Sequence, residues 1–227
     1  MLAMILAAGR GERMRDLTEN QPKPLIEIAG KPLIVYQIES LVLAGVEKII
    51  INTGRFGEQI RDNLGSGENY SVKINYSDEG DSPLETAGGV VKALPLLGDS
   101  AFILTNADIF TDFDYRTLPN QLDSADAHLV LVNNPDHNLL GDFVLENGRV
   151  LETGSHKLTY SGIGYYHPKF FKKYISNKNR FPLAPLLYKS AKDKNLSGQH
   201  YIGYWNDVGT PERLEEIKDT YSEVSKR

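Results

Sequence analysis

Leu2-Ala3-Met4-Ile5-Leu6-Ala7-Ala8-Gly9-Arg10-Gly11 sets the architecture of this chain. The apolar run at residues 2–8 predicts a buried strand of a parallel sheet, because a strand covered on both faces shows no alternation with polar residues. Gly9 and Gly11 follow directly and predict a loop whose backbone N–H groups can approach an anion closely.

The rest of the first half alternates between strand patterns and helix patterns. We expect strands at 48–52, 72–76 and 101–106, and helices at about 31–44, 57–64 and 86–94, the last ending before Pro95. This alternation is typical of an α/β fold, with a Rossmann-like, mixed but mostly parallel sheet flanked by helices.

The second half has a different pattern. Asn147-Gly148 is a strong hairpin signal. We expect strands at 127–132, 142–145, 149–151, 159–166 and 201–205, and helices at 168–174, 183–192 and from Thr210 onward. We interpret residues 1–227 as one mixed α/β domain, with a first half (about 1–125), a small antiparallel lobe (about 126–205) and a closing segment (206–227).

Composition excludes several classes of function. The net charge of −5, from 25 basic and 30 acidic residues, is opposite to that of most proteins that bind nucleic acid. The chain has no cysteine, so a disulfide framework and a thiolate site are excluded. The apolar runs are too short to span a bilayer, and the first residues lack the basic start of a signal peptide. We therefore expect a cytoplasmic protein without a membrane or nucleic-acid partner.

Two cations accompany the glycine loop. Arg13 offers a planar fork for phosphate oxygens, and Lys23 offers a point charge between Pro22 and Pro24, which restrict its backbone. This arrangement predicts a triphosphate site, although a glycine turn after a strand can also be purely structural. Met14 stands where a dinucleotide-binding oxidoreductase would have its third glycine, and no Gly-Lys-Ser/Thr follows the strand.

Two aspartates follow predicted strands. Asp108 comes after the strand at 101–106 and Asp207 after the strand at 201–205. Ligands of open α/β sheets bind outside the carboxyl ends of strands, and Mg²⁺ takes one or two carboxylates together with phosphate oxygens. The pair therefore predicts a Mg²⁺ site, and the alternative for each residue is a turn or a helix cap. We expect Asp112 and Asp114 to cap a helix that begins near Tyr115.

The segment 84–89 (LETAGG) predicts a junction between a loop and a helix. Its two glycines favour the close approach of a flat group such as a base, whereas Thr86 could equally be an ordinary cap. Histidines 128, 137, 156, 167 and 200 show no metal-ligand spacing, and we expect them in surface or turn positions.

Together these motifs resemble the sugar-1-phosphate nucleotidyltransferase family. The matching segments are residues 8–13 (AGRGER), 17–18 (LT), 22–25 (PKPL), 84–88 (LETAG), 105–108 (TNAD) and 205–211 (WNDVGTP). Segments 83–86 (PLET), 141–143 (GDF) and 183–187 (LAPLL) resemble the branch that uridylylates N-acetylmuramic acid α-1-phosphate in peptidoglycan recycling. The resemblance implies an enzyme that transfers a uridylyl group from UTP to that sugar 1-phosphate and releases pyrophosphate.

The resemblance also implies a role for individual residues. Arg13 and Lys23 would act in catalysis, and Asp108 and Asp207 would hold Mg²⁺. The implied nucleotide-binding residues are Gly9, Gly11, Glu12, Arg13, Lys23, Leu84, Thr86 and Gly88. The implied sugar-binding residues are Asn106, Gly141, Glu152 and Ser161.

Three positions depart from the family pattern. Asp16 replaces a usual proline, Glu85 replaces a glycine, and 152–154 (ETG) lacks the lysine that would contact the sugar phosphate, for which Lys157 or another cation could substitute. Glucose or mannose 1-phosphate as acceptor, with UTP, dTTP or GTP as donor, therefore stays an alternative. A non-catalytic nucleotide-binding subunit is a further one. We expect a monomer or a small homo-oligomer.

Overall fold

The computed structural model describes residues 1–175 and 179–224, with side chains through residue 220. Its strands, in chain order, are β1 (Leu2–Leu6), β2 (Glu27–Ile28), β3 (Lys31–Pro32), β4 (Lys48–Thr53), β5 (Lys73–Asp78), β6 (Phe102–Asn106), β7 (Ile109–Thr111), β8 (Ala127–Val132), β9 (Val144–Glu146), β10 (Arg149–Leu151), β11 (Thr159–Tyr166), β12 (Leu196–Tyr201) and β13 (Trp205–Asp207). The α-helices are α1 (Leu33–Leu43), α2 (Gly57–Leu64), α3 (Glu85–Leu97), α4 (Pro168–Lys172), α5 (Ala184–Lys192) and α6 (Pro211–Val224). Turns of 3₁₀-helix occur at Glu12–Thr18, Lys23–Leu25, Glu68–Tyr70, Tyr115–Thr117 and Asp136–Asn138. None of the helices in the described ranges is long and apolar enough to cross a bilayer.

One nine-stranded sheet runs through the described chain, in the order β5-β4-β1-β6-β11-β8-β12-β10-β9. The first four strands are parallel, whereas β11 is antiparallel to both of its neighbours, and β10 is antiparallel to β12 and β9. Seven of the nine strands therefore point the same way, which confirms the mixed, mostly parallel α/β sheet expected from the sequence. The β9–β10 hairpin extends this sheet through β10–β12 pairing.

Helices cover both faces of the sheet because the side chains of successive strand residues point to opposite faces. On β1, Ile5 packs with α1 and α2, whereas Met4 packs with α3, α4 and α5. Both residues are fully buried. The continuous apolar run at the amino terminus thus reflects a strand that is buried on both faces.

A third apolar cluster joins the two ends of the chain. It is formed by Met14, Ile26, Ile28 and Leu33 from the amino-terminal region together with Val208, Leu214 and Ile217. Helix α6 therefore packs on the segment that follows the glycine loop. The two-stranded β7–β13 sheet pairs Trp205 with Thr111 and Asp207 with Ile109.

Two secondary-structure predictions were wrong. The expected strand at 201–205 is divided between β12 and β13, because Asp112 accepts a hydrogen bond from Tyr204 N at 2.8 Å and another from the hydroxyl of Tyr201. Asp112 therefore fixes this corner instead of capping a helix. Asp114 does cap the turn at Tyr115–Thr117, as expected, through its bond from Arg116 N at 2.9 Å.

Helix α3 continues past Pro95, where the sequence predicted its end. A proline removes one backbone donor and crowds the carbonyl of the residue four positions earlier, and α3 tolerates this in its last turn. The helix then ends at Gly98, whose N–H bonds to the carbonyl of Leu94 at 2.9 Å.

Candidate active site

An open cavity of about 450 Å³ lies at the carboxyl ends of β1, β4 and β6. It is lined by Leu6, Ala7, Ala8, Gly9, Arg10, Gly11, Glu12, Arg13, Lys23, Pro24, Asn52, Glu79, Pro83, Glu85, Thr86, Asn106, Ala107, Asp108 and Gly209. Eight residues with a role predicted from the sequence are among them, namely Gly9, Gly11, Glu12, Arg13, Lys23, Thr86, Asn106 and Asp108. The cavity thus brings together predicted residues from four separate segments of the chain.

The glycine loop is held by its own backbone and by Thr18. Gly11 has a φ of 66°, in the left-handed region that favours glycine, and its carbonyl accepts bonds from Met14 N at 2.8 Å and from Thr18 Oγ1 at 3.0 Å. A Cβ at Gly11 would lie 3.1 Å from Thr18 Cγ2 and 3.2 Å from Lys23 Cβ. The loop is therefore fixed in shape before any ligand binds.

Lys23 forms an ion pair with one of the two aspartates predicted to bind a metal. Its Nζ lies 2.6 Å from Asp108 Oδ2, and 10% of the lysine side chain is exposed. Burial of an ammonium group is unfavourable without a charged partner, so Asp108 stabilises Lys23 in the cavity wall. Pro22 precedes this lysine in an extended conformation, with φ −73° and ψ 143°.

The second aspartate reaches the site through the β7–β13 ladder. Val208 N donates to the carbonyl oxygen of Asp108 at 2.7 Å, so the backbones of Asp108 and Asp207 are neighbours. The side chain of Asp207 accepts from Arg213 Nη1 at 2.6 Å, and His137 Nε2 lies 3.2 Å from the same Oδ1 oxygen. The structure therefore places at one edge two carboxylates that are 99 positions apart in sequence.

The donor set fits a divalent cation bound together with a phosphate group. Among the described residues, Asp108 Oδ1 and Asp207 Oδ2 have no hydrogen-bond or ion-pair partner, while the other oxygen of each carboxylate contacts a cationic side chain. No group of three or more His, Asp or Glu side chains in that part of the chain could form a metal site. Two carboxylates without a third protein ligand are what Mg²⁺ uses when phosphate oxygens and water complete its shell.

A buried polar chain that the sequence analysis missed supports the cavity wall. Ala7 N donates to Asn52 Oδ1 at 2.7 Å, Asn52 Nδ2 donates to Glu79 Oε1 at 2.6 Å, and Leu84 N donates to Glu79 Oε2 at 2.7 Å. Glu79 is 8% exposed. This chain connects β1, β4 and the start of α3, and it accounts for a carboxylate that would otherwise be buried alone.

The two glycines at the start of α3 allow other segments of the chain to pack closely against this helix. A Cβ at Gly88 would lie 2.4 Å from the carbonyl oxygen of Asn179, and one at Gly89 would lie 2.4 Å from Glu79 Oε1. Neither Gly88 nor Leu84 lines the cavity, whereas Thr86 does. The roles of Leu84 and Gly88 in nucleotide binding stay predictions, but the glycines already have a packing reason.

Glu85, which departs from the family pattern, has an unusual backbone. Its φ of 62° lies in the region that favours glycine, and its carboxylate pairs with Arg180 at 3.1 Å. The glutamate therefore adopts a left-handed backbone conformation that is more favourable for glycine, so its backbone is strained.

The predicted sugar-binding residues are dispersed. Asn106 lines the cavity, whereas Gly141, Glu152 and Ser161 do not. The hydroxyl of Ser161 donates to the carbonyl of Val130 at 2.8 Å and accepts from Ile163 N at 3.1 Å, within a bulge of β11. Its side chain is 2% exposed, so its visible role is to hold the bulge.

Gly141 packs against the backbone of Lys157, since a Cβ there would lie 2.8 Å from the Lys157 carbonyl oxygen. Glu152 is partly exposed beyond β10. Both residues lie in the lobe at about 126–205, and their roles in sugar binding stay predictions.

Sequence reasoning missed three candidate functional residues, namely Glu79, His137 and Arg213. His137 had been expected in a surface or turn position, and it does lie on a 3₁₀ turn, but its ring contacts Asp207. Arg213 lies in the first turn of α6. The signal for Arg213 was its place six residues after a candidate metal ligand, in the first turn of a predicted helix.

Comparison with known proteins gives a consistent family. The model of the Nucleotidyl transferase family matches residues 2–143. The N-acetylmuramate alpha-1-phosphate uridylyltransferase of Neisseria meningitidis serogroup B is 47% identical over 225 residues, which cover 96% of this chain and 97% of that protein. The protein of the same name from Caulobacter vibrioides is 31% identical over 226 residues, or 93% of each chain.

The fold is shared with solved structures of lower identity. HddC from Yersinia pseudotuberculosis, complexed with GMP-PN, superposes with a TM-score of 0.79 at 23% identity, over 97% of this chain and 99% of that one. The fold is that of the nucleotide-diphospho-sugar transferases. From the family model and these relatives, the chain belongs to the sugar-1-phosphate nucleotidyltransferase family.

Proposed function

We propose that this enzyme transfers a uridylyl group from UTP to N-acetylmuramic acid α-1-phosphate, giving UDP-N-acetylmuramic acid and pyrophosphate. One observation carries the reaction type: the Gly9–Gly11 loop and the Lys23–Asp108 ion pair line one cavity, and Asp207 is the backbone neighbour of Asp108. The acceptor is supported by the 47% identity to a relative that carries this activity in its name.

On the donor side, the cavity binds a triphosphate through charge and backbone N–H groups. Arg13 and Lys23 offset the negative charge, while the N–H groups of the fixed glycine loop face the phosphates. The buried chain through Asn52 and Glu79 holds the start of α3, and Thr86 in its first turn lines the cavity. We assign Thr86 to the binding of the base. Leu84 and Gly88 complete the base site in our proposal.

On the metal side, Asp108 and Asp207 would hold Mg²⁺ with the oxygens that have no partner. When bound, Mg²⁺ withdraws charge from the phosphates and orients them. Lys23, which offsets the charge of Asp108 in the free protein, would also lie near phosphate oxygens of the triphosphate.

The chemistry requires positioning more than proton transfer. An oxygen of the sugar 1-phosphate attacks the α-phosphorus of UTP, the new P–O bond forms, and the bond to the β-phosphate oxygen breaks to release pyrophosphate. The attacking group is already an anion, so no general base is needed. Alignment of the two substrates and shielding of their charges supply the rate enhancement.

The acceptor sugar is assigned to the half of the chain at about 126–205. We propose that Asn106, Gly141, Glu152 and Ser161 surround it, with Asn106 at the boundary with the donor cavity. Peptidoglycan recycling in the cytoplasm would provide this substrate.

A panel of pyrophosphate-release assays tests the proposal. UTP, dTTP and GTP are each combined with N-acetylmuramic acid, N-acetylglucosamine, glucose or mannose 1-phosphate, with and without Mg²⁺. We expect the highest kcat/KM for UTP with N-acetylmuramic acid 1-phosphate, and no turnover after metal chelation. A higher kcat/KM for N-acetylglucosamine 1-phosphate, which lacks the lactyl group, would contradict the assigned acceptor.

A further inference from the structure

The carboxylate of Asp207 contacts nitrogen atoms of two side chains from separate parts of the fold. Arg213 Nη1, from the first turn of α6, donates to Oδ1 at 2.6 Å, and His137 Nε2, from the turn between β8 and β9, lies 3.2 Å from the same oxygen. Nitrogen groups that converge on one carboxylate oxygen have an arrangement that also suits a phosphate oxygen. In the free protein this position is occupied by Asp207.

The guanidinium of Arg213 has unused donors. Its Nη1 bonds to the backbone oxygen of Asp207 at 3.1 Å as well as to Oδ1, and the side chain is 15% exposed. Among the described residues, its Nε and Nη2 atoms have no hydrogen-bond partner, although a guanidinium carries five N–H donors in a fixed plane. A mostly buried cation with free donors favours binding of an oxyanion.

Positive charge is concentrated around this point. A Cβ at Gly209 would lie 2.7 Å from Arg213 Nη1 and 3.4 Å from Arg13 Nη2, so two guanidinium groups flank the same glycine. Two guanidinium groups that lie close together repel each other, and a nearby anion reduces this repulsion. Arg13 faces the donor cavity, which leaves Arg213 to serve a second anion on its other side.

The loop that carries His137 is rigid. Asn138 Nδ2 donates to Asp142 Oδ1 and to Thr159 Oγ1, both at 3.1 Å, and Thr159 Oγ1 donates to Asn134 Oδ1 at 2.9 Å. These bonds connect both ends of the loop to β11. The imidazole is therefore held beside Asp207 and would not need to be ordered when a ligand binds.

We propose that Arg213 and His137 bind the phosphate group of the acceptor sugar 1-phosphate. This inference rests on the proposed function, and it names the side chains that hold the second anionic substrate. The acceptor must bring its phosphate beside the donor triphosphate, so it needs binding groups other than Arg13 and Lys23. Arg213 supplies a positive charge and His137 a ring nitrogen, and Asp207, which both contact, is the backbone neighbour of Asp108.

Lys157 is the competing candidate. Its backbone packs against Gly141, and its ammonium has no ion-pair partner among the described residues. Lys157 lies in the lobe at about 126–205, but among the described residues it forms no ion pair with Asp108 or Asp207. We therefore assign the acceptor phosphate to Arg213 and His137.

The test compares four variants: His137→Gln, Arg213→Lys, Lys157→Met and, as a matched control, His156→Gln. His156 is an exposed histidine of the same half, with no recorded partner among the described residues. KM is measured separately for UTP and for the acceptor, and acceptor binding is measured by calorimetry without UTP. Loss of a hydrogen bond to a charged group predicts an increase of about tenfold or more in the acceptor KM and Kd for the first two variants. The KM for UTP should change less than about twofold in these variants, and His156→Gln should match wild type throughout.

Three results would overturn the proposal. One is an increase in acceptor KM for Lys157→Met alone, and another is an equal increase in both KM values for the His137 and Arg213 variants, which would indicate a merely structural role. The third result comes from calorimetry with inorganic phosphate. This measurement does not require the enzyme to turn over any of the tested substrates. Equal phosphate affinity of wild type, His137→Gln and Arg213→Lys would refute the site whether or not the proposed function holds. Because the two residues lie on separate elements, misfolding of one variant, detected by thermal unfolding, leaves the other to decide.

Discussion

Replacing Glu79 should destabilise the protein and weaken nucleotide binding together. Glu79 is buried, and its two oxygens accept from Asn52 Nδ2 at 2.6 Å and from Leu84 N at 2.7 Å. In Glu79→Ala, both donors lose a charged acceptor and stay buried, at about 1.5–3 kcal/mol each. Partial access of water to the cavity wall lowers the total, so we expect a loss of about 3–5 kcal/mol in the free energy of unfolding.

Glu79→Gln is the finer test. A glutamine retains one acceptor oxygen, but its amide nitrogen would face the second donor, so one of the two bonds is lost. We expect a loss of about 1–3 kcal/mol, smaller than for Glu79→Ala. The exposed Glu19 provides the control, and Glu19→Ala should stay within about 0.5 kcal/mol of wild type.

The measurement is urea-induced unfolding of the ligand-free protein, followed by far-UV circular dichroism and by tryptophan fluorescence. The same variants are then compared for the KM of UTP, which should rise because Leu84 and the start of α3 lose their anchor. A free energy of unfolding for Glu79→Ala within about 1 kcal/mol of wild type would show that the chain through Asn52 does not carry the stabilisation assigned to it.

The remaining predictions concern the glycines, the aspartates and pH. Gly89→Ala gains about 1 kcal/mol of helix propensity, but its Cβ meets Glu79 Oε1 at 2.4 Å, so we expect a net loss of about 1–3 kcal/mol in urea unfolding, and a gain would refute the close packing. Asp108→Asn and Asp207→Asn should each abolish Mg²⁺-dependent pyrophosphate release, and the wild-type rate in either would contradict the metal assignment. Burial lowers the pKa of His128, so the unfolded chain takes up the proton first and stability falls as pH drops below about 6.5. Between pH 7 and pH 5, His128→Gln should therefore lose less unfolding free energy than wild type, and identical losses would refute this explanation.

The sequence predicted the parallel half of the sheet because its strands are buried on both faces and consist of apolar runs. It did not predict β12, since residues 197–200 (SGQH) contain no apolar side chain and include Gly198. That glycine is explained by its neighbours: a Cβ there would lie 2.5 Å from Val150 Cγ2 and 2.9 Å from the carbonyl of Leu129. Pairing on both sides of β12 is a tertiary property, which local patterns do not contain.

The candidate site was predictable where the residues belong to contiguous motifs. Lys23 and Asp108 were both expected there, but their ion pair depends on how β6 and the proline-framed turn meet. Asn52 and Glu79 carried no signal, because an amide and a carboxylate at strand ends are common and only their buried contact gives them a role. His137 was missed for the same reason, since its partner is 70 positions away in sequence.

The β7–β13 ladder joins two segments that are far apart in the order of synthesis. The glycine loop and Asp108 leave the ribosome well before Asp207, which belongs to β13. The contact between β7 and β13 is therefore long-range, and such contacts form slowly because the closure of a long loop costs entropy. We expect the two carboxylates of the proposed metal site to come together only after β13 has been synthesised.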